Sequence, residues 1–181
     1  MNIPSRDECF KLIKDMEMMG HIVDHSVMVS NVTKFPCYRL KKTAPKLDIR
    51  LATHAALLHD ITKTRSFNTH ELHSETGGEL LTRLGYPEVG DIIRQHVLLD
   101  SYESDSPISE DEIVNYSDKR VLHDRVVSLK KRLDYIHKRY GENKKFKKKI
   151  TLMQEKTLIL EAKLFEHLDM EPDELLDCML E

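Results

Sequence analysis

The sequence predicts an all-α protein: a helical bundle with a long C-terminal helix. Three observations lead there. Six glycines and six prolines fall between segments of helical periodicity, not inside strand-like alternation. Ser5 with Glu8, and Ser109 with Glu112, each set up a capping box, in which a serine hydroxyl and a glutamate three residues on satisfy each other's free backbone N–H groups. Near the C-terminus, Phe146, Ile150, Met153, Thr157, Leu160, Leu164 and Leu168 follow a 4-3-4-3-4-4 spacing, close to a heptad seam.

Taken in order, the first helix starts after Ser5, carries Phe10, Ile13, Met16 and Met19 on one face, and ends at Gly20. A second runs from about 21 to 36, with Ile22, His25, Val29 and Val32 on its apolar face and Pro36 as its stop. Asp48 caps a third, whose face is Ala52, Ala55, Ala56 and His59. Positions 62–70 read as loop. A fourth helix carries His73, Thr76, Gly77, Leu80 and Leu84 and stops at Gly85. Pro87 suits the first position of a fifth, which presents Val89, Ile92, Ile93, His96 and Val97. After a polar loop at 100–108, the helix capped by Ser109 bears Val114, Ser117, Asp118 and Val121. A further helix spans roughly 124–140, and the seam helix follows until Pro172, with a short helix at 173–180.

A length of 181 residues suits one domain with an appended helix, here 1–141 followed by an extension at 142–181 that packs on the domain or on a partner subunit as a homo-oligomer contact. Apolar residues are 40% and charged residues 33%, a balance that excludes wholesale disorder. The mean hydropathy of −0.48, and the absence of any run near the ~18 apolar residues of a membrane span, argue against membrane insertion. Met1 to Ser5 lack the basic-then-apolar order of a signal peptide. Cys9, Cys37 and Cys178 lie far apart without a CxxC pair, as expected in a reducing, cytoplasmic setting. The lysines from 144 to 149 read as a solvated helix face. With a net charge of −3 and no aromatic interleaving beyond Phe146, they give little support to nucleic-acid binding.

The informative residues are six: His25, His59, Asp60, His73, His96 and Asp118. A lone histidine on an apolar helix face is usually a hydrogen-bonded core residue. Asp118 weighs more, because an ionised carboxylate is costly to bury unless it is paired or bound to a cation. Several helices pointing imidazoles and carboxylates into one core are satisfied together by a divalent cation, and such N/O donors suit Fe, Mn, Co, Ni or Zn. No cysteine joins the pattern, which disfavours a structural thiolate zinc site. His59 and Asp60 are adjacent, so their side chains diverge by about 100°. Both reach one centre only at a helix end, where the negative end of the dipole also favours a cation.

The segment Leu57-Leu58-His59-Asp60-Ile61-Thr62-Lys63 resembles the signature of the HD-domain metal-dependent phosphohydrolases, and His25, His59, Asp60 and Asp118 match that superfamily's H…HD…D pattern in order. His73 to Leu81 and Ile92 to His96 resemble the segments that carry extra histidines in the dinuclear, six-ligand branch, which includes HD-type diadenosine tetraphosphate hydrolases. The resemblance covers about 20–125. Thr62 stands where many members carry glycine, and the form of the HD-GYP cyclic-dinucleotide phosphodiesterases is absent.

The resemblance implies an HD-domain helical bundle with two divalent metal ions per chain, Fe or Mn favoured over Co, Ni, Zn or Mg. Asp60 would bridge them, with His25, His59 and Asp118 on one and His73 and His96 on the other. The implied activity is hydrolysis of a phosphate ester or anhydride in a phosphorylated small molecule, a nucleotide or relative, without deciding between phosphomonoester, phosphodiester and pyrophosphate. Asp60 and Lys63 are the candidate catalytic residues, and Lys63, Arg94 and Arg120 the candidate phosphate contacts. Glu75 and Asp124 are candidate supports for the ligands. His21, His70 and His123 flank the motifs without matching them. Two alternatives remain open: a mononuclear nucleotide phosphohydrolase using His25, His59, Asp60 and Asp118 alone, and a non-catalytic signalling or interaction module on the same fold.

Overall fold

The computed structural model describes residues 1–101, 105–142 and 144–179, with the side chains of 144–146 outside that set. Helix α1 (Arg6–Asp15) opens with the expected capping box: Glu8 N–H donates to Ser5 Oγ at 3.2 Å, and Ser5 N–H to the Glu8 carboxylate at 2.6 Å. It ends earlier than expected. Glu17 adopts a left-handed conformation (φ 50°), and the Met18 N–H reaches back to the Ile13 carbonyl, closing the helix without Gly20. Gly20 instead begins α2 (Gly20–Arg39), which runs through Pro36. The ring sits in the last turn, where it removes only one internal bond, and the Leu40 N–H still donates to the Pro36 carbonyl.

Helix α3 (Ile49–Leu58) is capped by Asp48, whose carboxylate accepts from the N–H groups of Arg50 and Leu51. The segment expected as loop forms a short helix, α4 (Lys63–Thr69), closed by left-handed His70. It buries no side chain fully, so it lacks the apolar stripe from which a helix is read. Helices α5 (His73–Arg83) and α6 (Pro87–Gln95) form an antiparallel pair around Gly85, whose φ of 89° the turn requires. They approach closely because a Cβ on Gly78 would lie 2.7 Å from the Gly90 carbonyl oxygen, and one on Gly90 2.5 Å from that of Gly78. That contact places the start of α5 beside the end of α6. Gly77 packs against Ile93 and Ile61, where an added Cβ would lie 3.1 Å from the Ile93 side chain.

Helix α7 (Glu110–Asp118) leads into a two-stranded antiparallel hairpin, β1 (Val121–Leu122) and β2 (Arg125–Val126), turned through left-handed His123. The hairpin replaces the start of the helix expected from 124. Helix α8 (Leu129–Tyr140) begins only after Ser128, which caps it by accepting the Lys131 N–H. Helix α9 (Lys144–Leu168) and α10 (Glu174–Cys178) close the described chain.

Helices α2, α3, α6 and α7 pack on one another at the centre, α5 lies on α6, α1 on α3, and α9 on α7 and α8. The seam of α9 faces its own chain. Ile150, Met153, Thr157, Leu160, Leu164 and Leu168 are buried, and the apolar ones join the same hydrophobic cluster as Ala55, Val114 and Tyr116. Phe146, Lys144 and Lys145 of the expected seam and lysine run lie outside the described side chains, as do residues 102–104 of the expected polar loop and residue 180 of the expected last helix. Among the described residues no helix is long and apolar enough to cross a membrane.

Candidate metal centre

Three helices deliver their C-terminal ends to one place. His59 follows the last residue of α3, His96 follows the last residue of α6, and Asp118 is the last residue of α7. The negative ends of three helix dipoles therefore converge, a field that favours a cation. His73 opens α5 and His25 projects from the second turn of α2 into the same space. All six residues singled out in the sequence meet there.

The imidazoles are aimed by backbone carbonyls. Nδ1–H of His25 donates to the His123 carbonyl at 2.7 Å, that of His59 to the Ala56 carbonyl at 2.7 Å, and that of His96 to the Ile93 carbonyl at 2.6 Å. With Nδ1 as donor, each Nε2 turns a lone pair inward, as metal-binding histidines do. His25 Nε2 lies 3.0 Å from Asp118 Oδ1, and His59 Nε2 3.4 Å from Asp60 Oδ2 and 3.8 Å from Asp118 Oδ1. His73 Nε2 and His96 Nε2 lie 3.2 and 3.7 Å from Asp60 Oδ1 and 3.3 Å from each other. Candidate donor atoms of His25, His59 and Asp118 lie within 4.8 Å of one another, as do those of His59, Asp60 and His96.

His59 Nε2 and Asp60 Oδ1 are buried and have no hydrogen-bond partner. Leaving such groups unsatisfied in a protein interior costs about 1–3 kcal/mol each, and more when charged. A cation among them removes the cost. The all-N/O donor set, the orphaned pair and the converging dipoles together fit a divalent metal.

Electrostatics agree. Burial works against the charged forms of Asp60 and Asp118, but nearby cations outweigh it and hold both carboxyls well below the ordinary range. For Asp60 the main cations are Lys63 and His59. For Asp118 they are Lys119 and Arg132. Burial, with His59 and His73 alongside, pushes His96 well below its usual value and keeps it neutral. For His59 the pull of Asp60 and Asp118 exceeds burial and raises its value. A proton there occupies the lone pair that a metal needs, so the two compete.

Lys63, expected at the site, lies 2.7 Å from Asp60 Oδ2. Arg94 and Arg120, expected as phosphate contacts, do not line the cavity. The Arg94 guanidinium pairs with Asp91 at 3.0 Å and Asp100 at 2.5 Å on the outer side of α6. Arg120 is fully buried and holds the fold together, donating to Tyr116 Oη and to the carbonyls of Val127 and Pro172. Glu75 and Asp124 are exposed and away from the cavity.

Other residues take those places. Lys119 is buried, with Nζ 3.0 Å from Asp118 Oδ2 and 2.5 Å from the His96 carbonyl. Arg132 on α8 reaches Asp118 Oδ1 at 3.5 Å, and its Nε has no partner. The Asn115 amide donates to the carbonyls of Gln95 and His96, tying α7 to the end of α6. The Thr62 hydroxyl donates to the His73 carbonyl at 2.8 Å, so Thr62 fixes α5 to the His59–Asp60 segment. Lys119 is adjacent to Asp118 in sequence, a signal that a reading of apolar faces passes over. Arg132 carries no local signal at all. The cluster opens into a cavity of about 730 Å³.

The HD-domain family model matches residues 22–136, more than half of the chain. The chain belongs to the HD-domain family. The match spans α2 to α8 and includes all six clustered residues. The HD chain is also 28% identical over 145 residues to a tRNA (cytidine(56)-2'-O)-methyltransferase of Picrophilus torridus, covering 73% of this chain and 40% of that protein. It is 26% identical over 149 residues to an uncharacterised protein of Methanocaldococcus jannaschii, covering 75% of this chain and 86% of that one. The chain thus spans well under half of the methyltransferase. No solved structure matches significantly.

Proposed function

We propose that this HD-domain chain is a metal-dependent phosphohydrolase acting on a phosphate ester or anhydride of a small molecule, a nucleotide or a related compound. The observation that carries the reading is the buried, partnerless pair His59 Nε2 and Asp60 Oδ1 at the meeting point of three helix C-termini. His25, His59 and Asp118 would hold one cation, His73 and His96 a second, and Asp60 would be shared. Among the cations that such donors accept, the resemblance favours iron or manganese. Bound divalent cations supply Lewis acidity, which lowers the pKa of water and neutralises charge on phosphoryl oxygens.

The chain's own residues do the rest. Asp60 and Asp118, kept ionised by their neighbours, hold negative charge at the centre at neutral pH. Lys63 and Arg132 face the cavity with positive charge and can meet the phosphate of a substrate there. The carbonyls of Ala56, Ile93 and His123 fix the imidazole orientations before substrate arrives. Three unpaired thiols suit a reducing compartment, and we place the protein in the cytoplasm.

The test offers protein loaded with manganese or iron a phosphomonoester, a phosphodiester and a nucleotide panel. Hydrolysis is expected on at least one member and should be lost in His59→Ala and Asp60→Ala. Activity surviving in both variants, or none on any compound, overturns the reading.

A further inference from the structure

Part of the cavity lining comes from the C-terminal helices α8 and α9, and some of it lies beyond the family match that ends at residue 136. On α8, Arg132, Tyr135, Ile136 and Tyr140 recur at spacings of three and four and so share one face. On α9, Ile150 and Met153 share a face by the same spacing, and both are buried. All six line the cavity. Arg132 contacts Asp118, and Tyr140 lies eight residues further along α8, about 12 Å away at 1.5 Å per residue. The pocket is therefore cationic where it meets the histidine cluster, and beyond it aromatic and aliphatic side chains line it with Arg139 and Lys149 among them.

We propose that this wall is a specificity subsite, in which Tyr135, Ile136, Tyr140, Ile150 and Met153 hold a flat, apolar ring system attached to the phosphate that Arg132 and Lys63 receive. The proposal rests on the phosphohydrolase reading for the phosphate end only. Two features fit a ring of nucleobase size. The rings of Tyr135 and Tyr140 line the same cavity as Ile136, Ile150 and Met153, a set of side chains suited to a planar group. The volume of about 730 Å³ falls within the roughly 300–1,000 Å³ of small-molecule sites. Helix α9 is thereby part of the ligand site as well as of the core.

The test is equilibrium binding to the full chain after chelator treatment, so that no turnover intervenes. Adenosine 5′-monophosphate and ribose 5-phosphate carry the same phosphate and sugar and differ in the base. Calorimetry is expected to give a Kd at least tenfold lower for the former. Ile136→Ala and Tyr140→Ala should each cut that ratio at least threefold. Ile136→Trp fills the space instead of emptying it and should cut it too, which separates a lost subsite from a loosened fold. Equal Kd values for the two compounds, no measurable binding of either, or variants that leave the ratio intact overturn the subsite. The hydrolysis panel fails or succeeds separately: base-selective binding without turnover keeps the subsite and removes the phosphohydrolase reading, and turnover with equal Kd values does the reverse.

Discussion

Lys63 Nζ lies 2.7 Å from Asp60 Oδ2, while the other oxygen of the same carboxylate has no hydrogen-bond partner. The lysine thus neutralises one edge of Asp60 and leaves the other to the histidines. Burial disfavours the Lys63 ammonium, but Asp60 and Asp118 outweigh it and keep it charged. A fixed cation here, three residues after Asp60, can meet charge that develops on a phosphoryl group. Lys63→Ala is expected to retain metal, because Lys63 donates no ligand, yet to lose about 10²-fold in kcat, the usual effect of removing one donor to a developing anion. Lys63→Arg should recover part of that loss. Metal content and steady-state kinetics on the same samples check both statements. Loss of metal in parallel with activity would make Lys63 a structural counter-charge only.

Metal content also tests how the cluster divides. With Asp60 shared, the wild-type chain is expected to hold two equivalents, and His73→Ala or His96→Ala about one, by elemental analysis. One equivalent in the wild type would favour the mononuclear alternative. Because a cation bound only by the folded chain stabilises it by mass action, about 2.7 kcal/mol at a hundredfold excess over Kd, chelation should lower Tm. At roughly 2–4 °C per kcal/mol for a chain of this size, the expected drop is about 5–10 °C. His59→Ala, which removes a ligand of one cation only, should show a smaller drop.

Acid should act on the metal-free chain through the two carboxylates. Asp60 and Asp118 have folded values well below their ordinary 3.8. The stability they contribute is present in full above that ordinary value and is lost as pH falls through the depressed folded values. His96, also depressed, adds a loss that begins below its ordinary 6.5, since the unfolded chain takes up that proton first. His59 runs the other way. Its raised value contributes stability that is complete below 6.5 and fades as pH rises through the folded value. Urea midpoints of the chelated protein measured from pH 7 down to 3 should therefore fall most steeply below about pH 4, where both carboxylates lose their advantage. Asp118→Asn should flatten that limb, and an unchanged limb would mean that other carboxylates govern it.

Which parts were legible in the sequence follows from how far each signal reaches. The caps at Ser5, Asp48 and Ser109, the Pro87 start and the Gly85 turn depend on a few neighbouring residues, and all are found where the sequence places them. The six clustered residues were legible because each lies on an apolar helix face or at a helix end, so their polarity stands out. Helix α4 was not, since it buries no side chain fully, and the hairpin was not, since two-residue strands carry no period. Arg94 and Arg120 drew attention by adjacency to motif residues, but their orientation is set by Asp91 and Asp100, and by Tyr116, Val127 and Pro172. The role of the His123 carbonyl in aiming His25 is a backbone contact across 98 positions, invisible in side-chain identity.

Helix α9 is tied to α7 by a buried ion pair. Lys163 Nζ lies 2.8 and 3.1 Å from the two carboxylate oxygens of Glu112 and 3.0 Å from Ser106 Oγ, and both charged residues are buried. Glu112 also accepts the Ser109 N–H, so one carboxylate caps α7 and anchors α9. Replacing one partner leaves the other charge buried without compensation, which costs about 3–5 kcal/mol. Lys163→Met is therefore expected to destabilise the chain by about that much in urea titrations. Glu112→Gln/Lys163→Met should be less destabilised than the sum of the two single variants, because the stranded charge is gone. The exposed pair Lys130–Asp134, at 2.7 Å, is the contrast: Lys130→Ala should cost well under 1 kcal/mol. If Lys163→Met were as mild as Lys130→Ala, α9 would be held by its apolar seam alone, and the ion pair would set its register without adding to its stability.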